Sequence, residues 1–494
     1  MTAADTPLWL FADQLGPHFH SGDHAHRPVL LIESASALRR RRFHRQKLHL
    51  ILSALRHTAA DLGERATLIK ADTYTEALSR HRKPVLVHEP TSFAAGRFVE
   101  RLRAEGRVAE ILPTPGFALP RADFRRWAGD RTRFRMEDFY REQRRRFEVL
   151  MDGDQPVGGR WNFDTDNRER PPKGRMTLGA EPPYHPVEDE VDAAVRRDLD
   201  ALVPDAVGAD GPRLFAATAE EARAALDRFI SHRLPLFGRY EDAIMGADWA
   251  MAHSLLSVPL NLGLLHPLDV VRAAEDAYRD GAAPLAAVEG FIRQILGWRE
   301  YVWQLYWHFG PEYLANNALD AHTPLPRWWS DADADAVTAA CLRDALAGVR
   351  DRGWTHHIQR LMVLGSHALQ RGYDPRALNE WFSTAFVDGF AWVMPANVIG
   401  MSQHADGGRM ATKPYTSGGA YLNTMSDHCR GCRYDPKKRL GEDACPFTAG
   451  YWAFTHRHRD RLAANMRTAR AVSSMNRLSD LEAVLEQERL RESF

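Results

Sequence analysis

Between residues 6 and 126 short apolar runs alternate with amphipathic stretches. LWLF (8–11), PVLLIE (28–33), ATLIK (66–70), PVLVHE (84–89) and VAEIL (108–112) read as buried strands. The stretches at 46–62 and 93–105 repeat apolar residues at helical spacing. Such alternation predicts a parallel, Rossmann-like sheet with helices on both faces, an α/β domain over 1–130. No G-x-G-x-x-G occurs, so the usual dinucleotide fingerprint is absent. Residues 131–186 are expected to connect this domain to the next. From 152 the connector is rich in Gly, Pro, Asp and Arg, and its apolar islands Trp161, Phe163 and Met176 predict an ordered crossover. Beyond 187 the strand pattern disappears. Helical spacing at 240–258, 268–280, 285–308, 336–371 and 375–386 predicts an all-helical C-terminal domain over 187–494. Thr218, with Glu221 three residues on, reads as a capping box.

Lysine plus arginine and aspartate plus glutamate both number 65, so any nucleic-acid surface must be local rather than global. Two basic runs, Arg39 to Arg42 with Arg45 and Lys47, and Arg141 with Arg144 to Arg146, read first as solvated helix faces. No apolar run approaches the eighteen or so residues that span a bilayer, and no basic segment precedes the apolar patch at 8–12. A cytoplasmic protein with no membrane partner is expected.

Four cysteines occur, and three fall in HCRGCRYDPKKRLGEDACP at 428–446. Cys429 and Cys432 form a C-x2-C hook, Cys445 precedes a proline, and Cys341 stands apart. A disulfide framework does not suit a chain of this size with an ample core and no signal peptide. Tetrathiolate zinc and an iron–sulfur cluster both remain: zinc ribbons usually pair two hooks, of which one is missing here, and a thiolate followed by Pro occurs in cluster-binding runs.

The stretch GMSQHADGGRMATKPYTSGGAYLNTMSDHCRGCRYDPKKRLGEDACPF (400–447) resembles the C-terminal half of the iron–sulfur bacterial cryptochromes and photolyases. FADQL, MEDFYREQRRR, MDGDQPVGGRWNFD, HSLLSVPLNLGLLHP, GWREYV and HHIQRLMVLG extend the resemblance, in order, over nearly the whole chain. It implies the photolyase/cryptochrome fold, a helical FAD-binding domain, a [4Fe-4S] cluster on Cys341, Cys429, Cys432 and Cys445, and an antenna, typically 6,7-dimethyl-8-ribityllumazine. Asp13, just after the first strand, and Glu33, ending the second, lie where a parallel sheet binds ligands, which is where the resemblance implies the antenna. Ordinary loop capping fits them as well.

For the flavin, the resemblance implies Tyr240, His253, Ser254, Leu256 and Ser257 around the phosphates and ribityl chain, with Trp298 and Arg299 also in the pocket. The interval between Arg360 and Asp388 matches a pair found beside the flavin in photolyases. Burial would demand such pairing, since an isolated buried charge is costly. The same spacing places Met394 near flavin N5 and Asn397 just beyond. On a helix His356 and Arg360 share a face and His357 points elsewhere, so one of the two histidines can face a cavity. In photolyases that repair (6-4) photoproducts a histidine beside the lesion is the proton donor or hydrogen-bonding partner. Trp381 is the expected inner member of an aromatic relay, and Tyr415 and Tyr421, near Lys413, suit a flipped-out base.

Two features depart from the family pattern. Met394 stands where several members carry a polar or acidic residue, and a thioether cannot hold a proton for N5. The approach to Cys341, SDADADAVTAAC, is unusually acidic. The expected function is light-driven repair of (6-4) pyrimidine photoproducts by electron transfer from excited reduced FAD, with UV-damaged DNA as partner and a monomer as the working form. A blue-light photoreceptor without repair activity is the alternative.

Overall fold

A computed structural model describes residues 6–494. The five predicted strands form one parallel sheet, β1 (Leu8–Leu10), β2 (Val29–Ser34), β3 (Ala66–Ala71), β4 (Val85–His88) and β5 (Val108–Leu112), in the order β3-β2-β1-β4-β5. Leu8 pairs with Val29 on one side and with Leu86 on the other, so β1 is central and the chain reverses direction across the sheet between β1 and β4. Helices Arg45–Leu62 and Phe93–Ala104 stand where periodicity placed them.

Among the described residues the C-terminal part contains helices and isolated bridges but no strand ladder. Its longer helices differ from the expected ones in two places. Residues 241–256 are turns, not a helix: Met251 and Leu255 hold φ of 46° and 59°, a left-handed conformation that no helix interior admits. The stretch 336–371 is broken at Gly353 (φ 58°), where an added Cβ would meet Val387 Cγ1 at 2.9 Å, so the close approach and the backbone both require glycine. Thr218 caps its helix through Glu221 N at 3.1 Å, but Glu221 returns its bond to Ala217 N at 2.8 Å rather than to Thr218.

The connector is ordered as expected through Phe163, whose N–H donates to Glu289 at 2.9 Å. Met176, by contrast, is 74% exposed and anchors nothing. The solvated-face reading of the basic runs fails at two positions. Arg144 is fully buried and donates to the carbonyls of Val149, Leu150 and Trp161, tying a helix end to the connector. Lys47 is also buried. One continuous core runs from Leu8, Leu10, Val29 and Leu31 of the sheet to Met251, Leu256 and Val258 of the helical part. The N–H of Leu15 also donates to Leu262 O at 3.1 Å, so sheet and helices meet directly beside the 251–262 loop. No helix among the described residues is long and apolar enough to cross a membrane.

Candidate functional site

Two chain segments converge on Asp388. Arg360 grips it with two bonds, Nη1 to Oδ1 at 2.8 Å and Nη2 to Oδ2 at 3.1 Å, and Ser257 Oγ donates to Oδ2 at 2.8 Å. Asn261 Nδ2 donates to the Asp388 carbonyl at 3.1 Å. The ion pair is therefore buried and bidentate, the strongest form of such a contact. Arg360 belongs to a π-helical run, Gln359–Gly365, and two more such runs, Arg293–Arg299 and Ala396–Ser402, carry Arg299 and Asn397. π-Turns recur at functional sites because they displace one residue from the helical register toward a cavity. Met251 and Leu255 add backbone strain to the loop that presents Ser254 and Ser257, which the surrounding packing must hold in place.

The other expected residues surround this centre. Arg299 donates to Leu260 O at 3.2 Å, pairs with Glu300 at 3.1 Å and lies 5.3 Å from the ring of Trp392. Burial pushes the Glu300 carboxyl up to about 7 and lowers Arg299. Met394 is buried, Asn397 donates to Val393 O at 2.7 Å, and Tyr240 and Trp298 are half-buried. Ser254 Oγ accepts from Leu256 N at 3.3 Å.

His356 is buried and stacks on His253 with ring centroids 4.7 Å apart, whereas His357, one residue on, is solvent-accessible. Both ring nitrogens of His356 and Nε2 of His253 are buried without a partner. Surrounding protein atoms, by shielding the rings from water, hold all three neutral: His253 falls to about 3, His356 well below its ordinary value and His357, crowded on one side though its surface is accessible, to about 4. For His357 Arg360 adds to that effect.

The unfolded chain binds protons on these rings below its ordinary 6.5 and the folded protein does not. Stability from them is thus complete above that pH and lost as pH falls toward 4. The urea midpoint should fall steadily between pH 7 and pH 5, and less steeply in His356→Leu. A midpoint flat across that range would show that the rings find acceptors when charged.

Beside Asp388 the aromatic side chains form a series. Trp381 is buried, its ring centroid 5.3 Å from that of Trp329, and Trp329 is 5.7 Å from half-buried Trp328. Trp381 also meets Phe386 at 5.7 Å, and Arg360 lies 4.3 Å over the Phe386 ring. Trp328 and Trp329 were not foreseen, because nothing in PLPRWWSD distinguishes a relay from core packing. Tyr415 and Tyr421, both half-buried, each lie within the electrostatic reach of Arg168 of the connector and Asp242.

In the sheet domain Asp13 sits at the reversal between β1 and β4, accepting a bond from Thr91 Oγ1, with its carboxyl raised by burial. Glu33 is committed elsewhere: its two oxygens accept from Arg56 at 2.7 and 2.9 Å. The four cysteines are free; Cys341 and Cys445 are buried, Cys429 and Cys432 half-buried. Cys341 lies in the first turn of helix Ala340–Arg352, and Cys445 precedes helix Pro446–Arg457. Burial, and the nearness of the other three sulfurs, raises the Cys341 thiol well above its usual range. Burial likewise pushes Cys429 up to about 12. The one group of three His, Cys, Asp or Glu side chains with ligand atoms all within 4.8 Å, among the described residues, is His57, Asp189 and Asp192.

A doubly wound sheet is thus joined to a helical part that holds the Arg360 and Asp388 pair. Two solved structures share the fold: a bacterial class III photolyase from Agrobacterium tumefaciens (TM-score 0.58, 18% identity, 96% of this chain and 98% of that one) and a cryptochrome from Synechocystis (TM-score 0.57, 14% identity, 85% and 86%). The model of the family described as deoxyribodipyrimidine photo-lyase-related protein matches residues 8–213. A (6-4) photolyase from Agrobacterium fabrum is 39% identical over 494 residues, 95% of each chain. The chain belongs to the photolyase/cryptochrome family.

Proposed function

We propose that this protein repairs (6-4) pyrimidine photoproducts in DNA, driven by light absorbed by reduced FAD. The observation that carries the reading is His357: an accessible imidazole three residues before the Arg360 that binds Asp388, placed to meet a base presented to the cradle. The name of the 39% identical relative agrees. A lesion already weakly stacked costs less to flip out than a normal pair, and Tyr415 and Tyr421 offer aromatic faces to receive it.

The cradle suits FAD by the chemistry of its donors. Partnerless nitrogens of His253, His356 and Trp381, together with the paired Arg360 and Asp388, leave polar groups in an apolar wall that a large heteroaromatic ligand can satisfy. Arg360, Asp388, Met394 and Asn397 would hold the ring system, and Tyr240, His253, Ser254, Leu256 and Ser257 the phosphates and ribityl chain, with Trp298 and Arg299 behind them. When bound, reduced FAD supplies the photo-excited electron that splits the lesion. His357 holds or donates a proton at the lesion. Trp392 and Met394 keep water from the cradle, and Trp328, Trp329 and Trp381 offer electrons a path of neighbouring rings from the surface.

The nearness of Cys429, Cys432 and Cys445 to Cys341 supports one centre held by four thiolates, and the single C-x2-C hook with a thiolate directly before Pro446 favours a [4Fe-4S] cluster over zinc. The raised thiols agree, because a bound cation reverses the cost of ionising them. Purified protein should contain about four irons per chain with acid-labile sulfide. Cys432→Ser should lose both and unfold at lower urea, because metal binding energy here joins segments a hundred residues apart. One zinc and no sulfide would overturn the cluster. An antenna such as 6,7-dimethyl-8-ribityllumazine would sit against Asp13 and Thr91, with Glu33 held back by Arg56.

The test is to illuminate reduced protein with oligonucleotides bearing either a (6-4) lesion or a cyclobutane dimer and follow each lesion by chromatography. Loss of the (6-4) lesion alone is expected. Persistence of both would favour the photoreceptor.

A further inference from the structure

We propose that Lys47 is a positioning residue for the flavin cradle: its ammonium reaches from the N-terminal domain into the helical one and fixes the turn that carries Asp388. Nζ donates to Ser383 O at 2.7 Å, to Phe386 O at 3.1 Å and to Gly389 O. Three N–H groups thus meet three carbonyls, the full donor capacity of the side chain. Ser383 lies in the last turn of helix Pro375–Ala385, whose final carbonyls lack intrahelical partners and form the negative end of the helix dipole. Phe386 and Gly389 bracket Asp388, so the same ammonium holds the turn from both sides.

Independent contacts show how closely this turn is built. A Cβ on Gly389 would meet Phe382 O at 2.6 Å and the carbonyls of Ser383 and Phe386 at 3.0 Å, so the carbonyls crowd onto the backbone there and leave no room for a side chain. The rings of Phe390 and Phe43 lie 5.4 and 5.8 Å from Nζ. The N–H of His44, one turn before Lys47, donates to Thr384 O at 3.0 Å, and Gln46 Nε2 donates to Asp351 O at 2.6 Å. The start of helix Arg45–Leu62 is therefore stitched to the helical domain at the point where the Asp388 turn begins. No carboxylate contacts Nζ among the described residues, and the opposite charge acting on it is Asp388 itself.

The charged groups facing Lys47 are Arg40 and Arg41 from its own side, Asp388 across the domain boundary and His44, which burial keeps neutral down to about 4. Burial pushes the ammonium down to about 7. Freed of this anchor, the 386–389 turn can carry Asp388 away from Arg360 and Ser257, and the cradle loosens.

This inference rests on FAD occupying the cradle. The test titrates apoprotein with FAD by flavin fluorescence in wild type, Lys47→Met, Asp388→Asn and the double variant. Lys47→Met should weaken FAD at least about tenfold in the wild-type background, the factor one charge-assisted hydrogen bond carries. In the Asp388→Asn background, where FAD binds too weakly to survive gel filtration but still titrates at higher concentration, it should matter less than about twofold, since a turn without its carboxylate has nothing left to position. An equal loss in both backgrounds, or no loss in either, overturns the proposal. Should Lys47→Met fail to fold, the pH profile decides. Between pH 6 and 9 wild-type affinity should fall further than that of Lys47→Arg, in which only Glu300, common to both, titrates; identical profiles overturn it. Wild type that binds no FAD overturns the cofactor reading and this proposal together, whereas binding indifferent to Lys47 overturns the proposal alone.

Discussion

His357→Ala is expected to lose (6-4) repair by roughly 10²- to 10⁴-fold while FAD stays bound, the range that one positioned proton-transfer group contributes. The side chain is accessible, so its removal should cost little stability. In the free protein the protein atoms crowding one side of the ring, together with Arg360, keep it neutral near pH 7. A DNA phosphate close by would raise its proton affinity, since an opposite charge favours the charged form. Repair should therefore slow as pH rises once DNA is bound. His356→Ala should act differently: that ring stacks on His253 in the core, and its loss creates a cavity and lowers the denaturation midpoint. Lesion chromatography after illumination, with flavin content and urea midpoint on the same samples, separates the two. Undiminished repair by His357→Ala would remove it from the chemistry.

Breaking the Arg360 and Asp388 pair should have the largest effect on the protein itself. Asp388→Asn leaves a buried guanidinium without its carboxylate and removes the charged acceptor of Ser257, at a cost of about 3–5 kcal/mol. The expected result is a lower urea midpoint and protein that leaves gel filtration without flavin. Removing both charges together, as Arg360→Met with Asp388→Leu, should restore part of the midpoint relative to Asp388→Asn, because no unpaired charge remains, yet should not restore flavin. Asp388→Asn that retained its flavin and its midpoint would show that the pair is not what organises the cradle.

Much of this was legible along the chain. The central strands β1, β2 and β4 are buried, continuous apolar runs, while the edge strands β3 and β5 are partly exposed rather than buried as expected; all five were still found to within a residue or two, and their alternation with helices gave the sheet its parallel sense. The Arg360 to Asp388 pairing followed from the resemblance and from the cost of burying an isolated charge. Helical geometry implied only that one of the two histidines can face a cavity; the structure decided that His356 is packed and His357 accessible. What failed did so for local reasons. The 241–256 stretch has helical spacing of apolar residues but folds as turns, because packing overrides periodicity when a loop must bend around a site. Lys47 could have been noticed: it falls in line with Leu50, Ile51, Ala54 and Thr58, a largely buried stripe, where a solvated lysine does not belong.

The sequence by itself determined the elements, the ligand-bearing residue types and the family, because periodicity, capping and motif spacing are local properties of a chain. The tertiary structure alone decided which charges are solvated and which are spent. It turned Glu33 toward Arg56, aligned Trp328 and Trp329 with Trp381, set Asp13 against Thr91, and sent Lys47 across a domain boundary to the carbonyls around Asp388. Those outcomes join residues separated by 23 to more than 300 positions in the chain, and such partners are chosen by packing, where a buried polar group must find whatever complement the folded interior brings within reach.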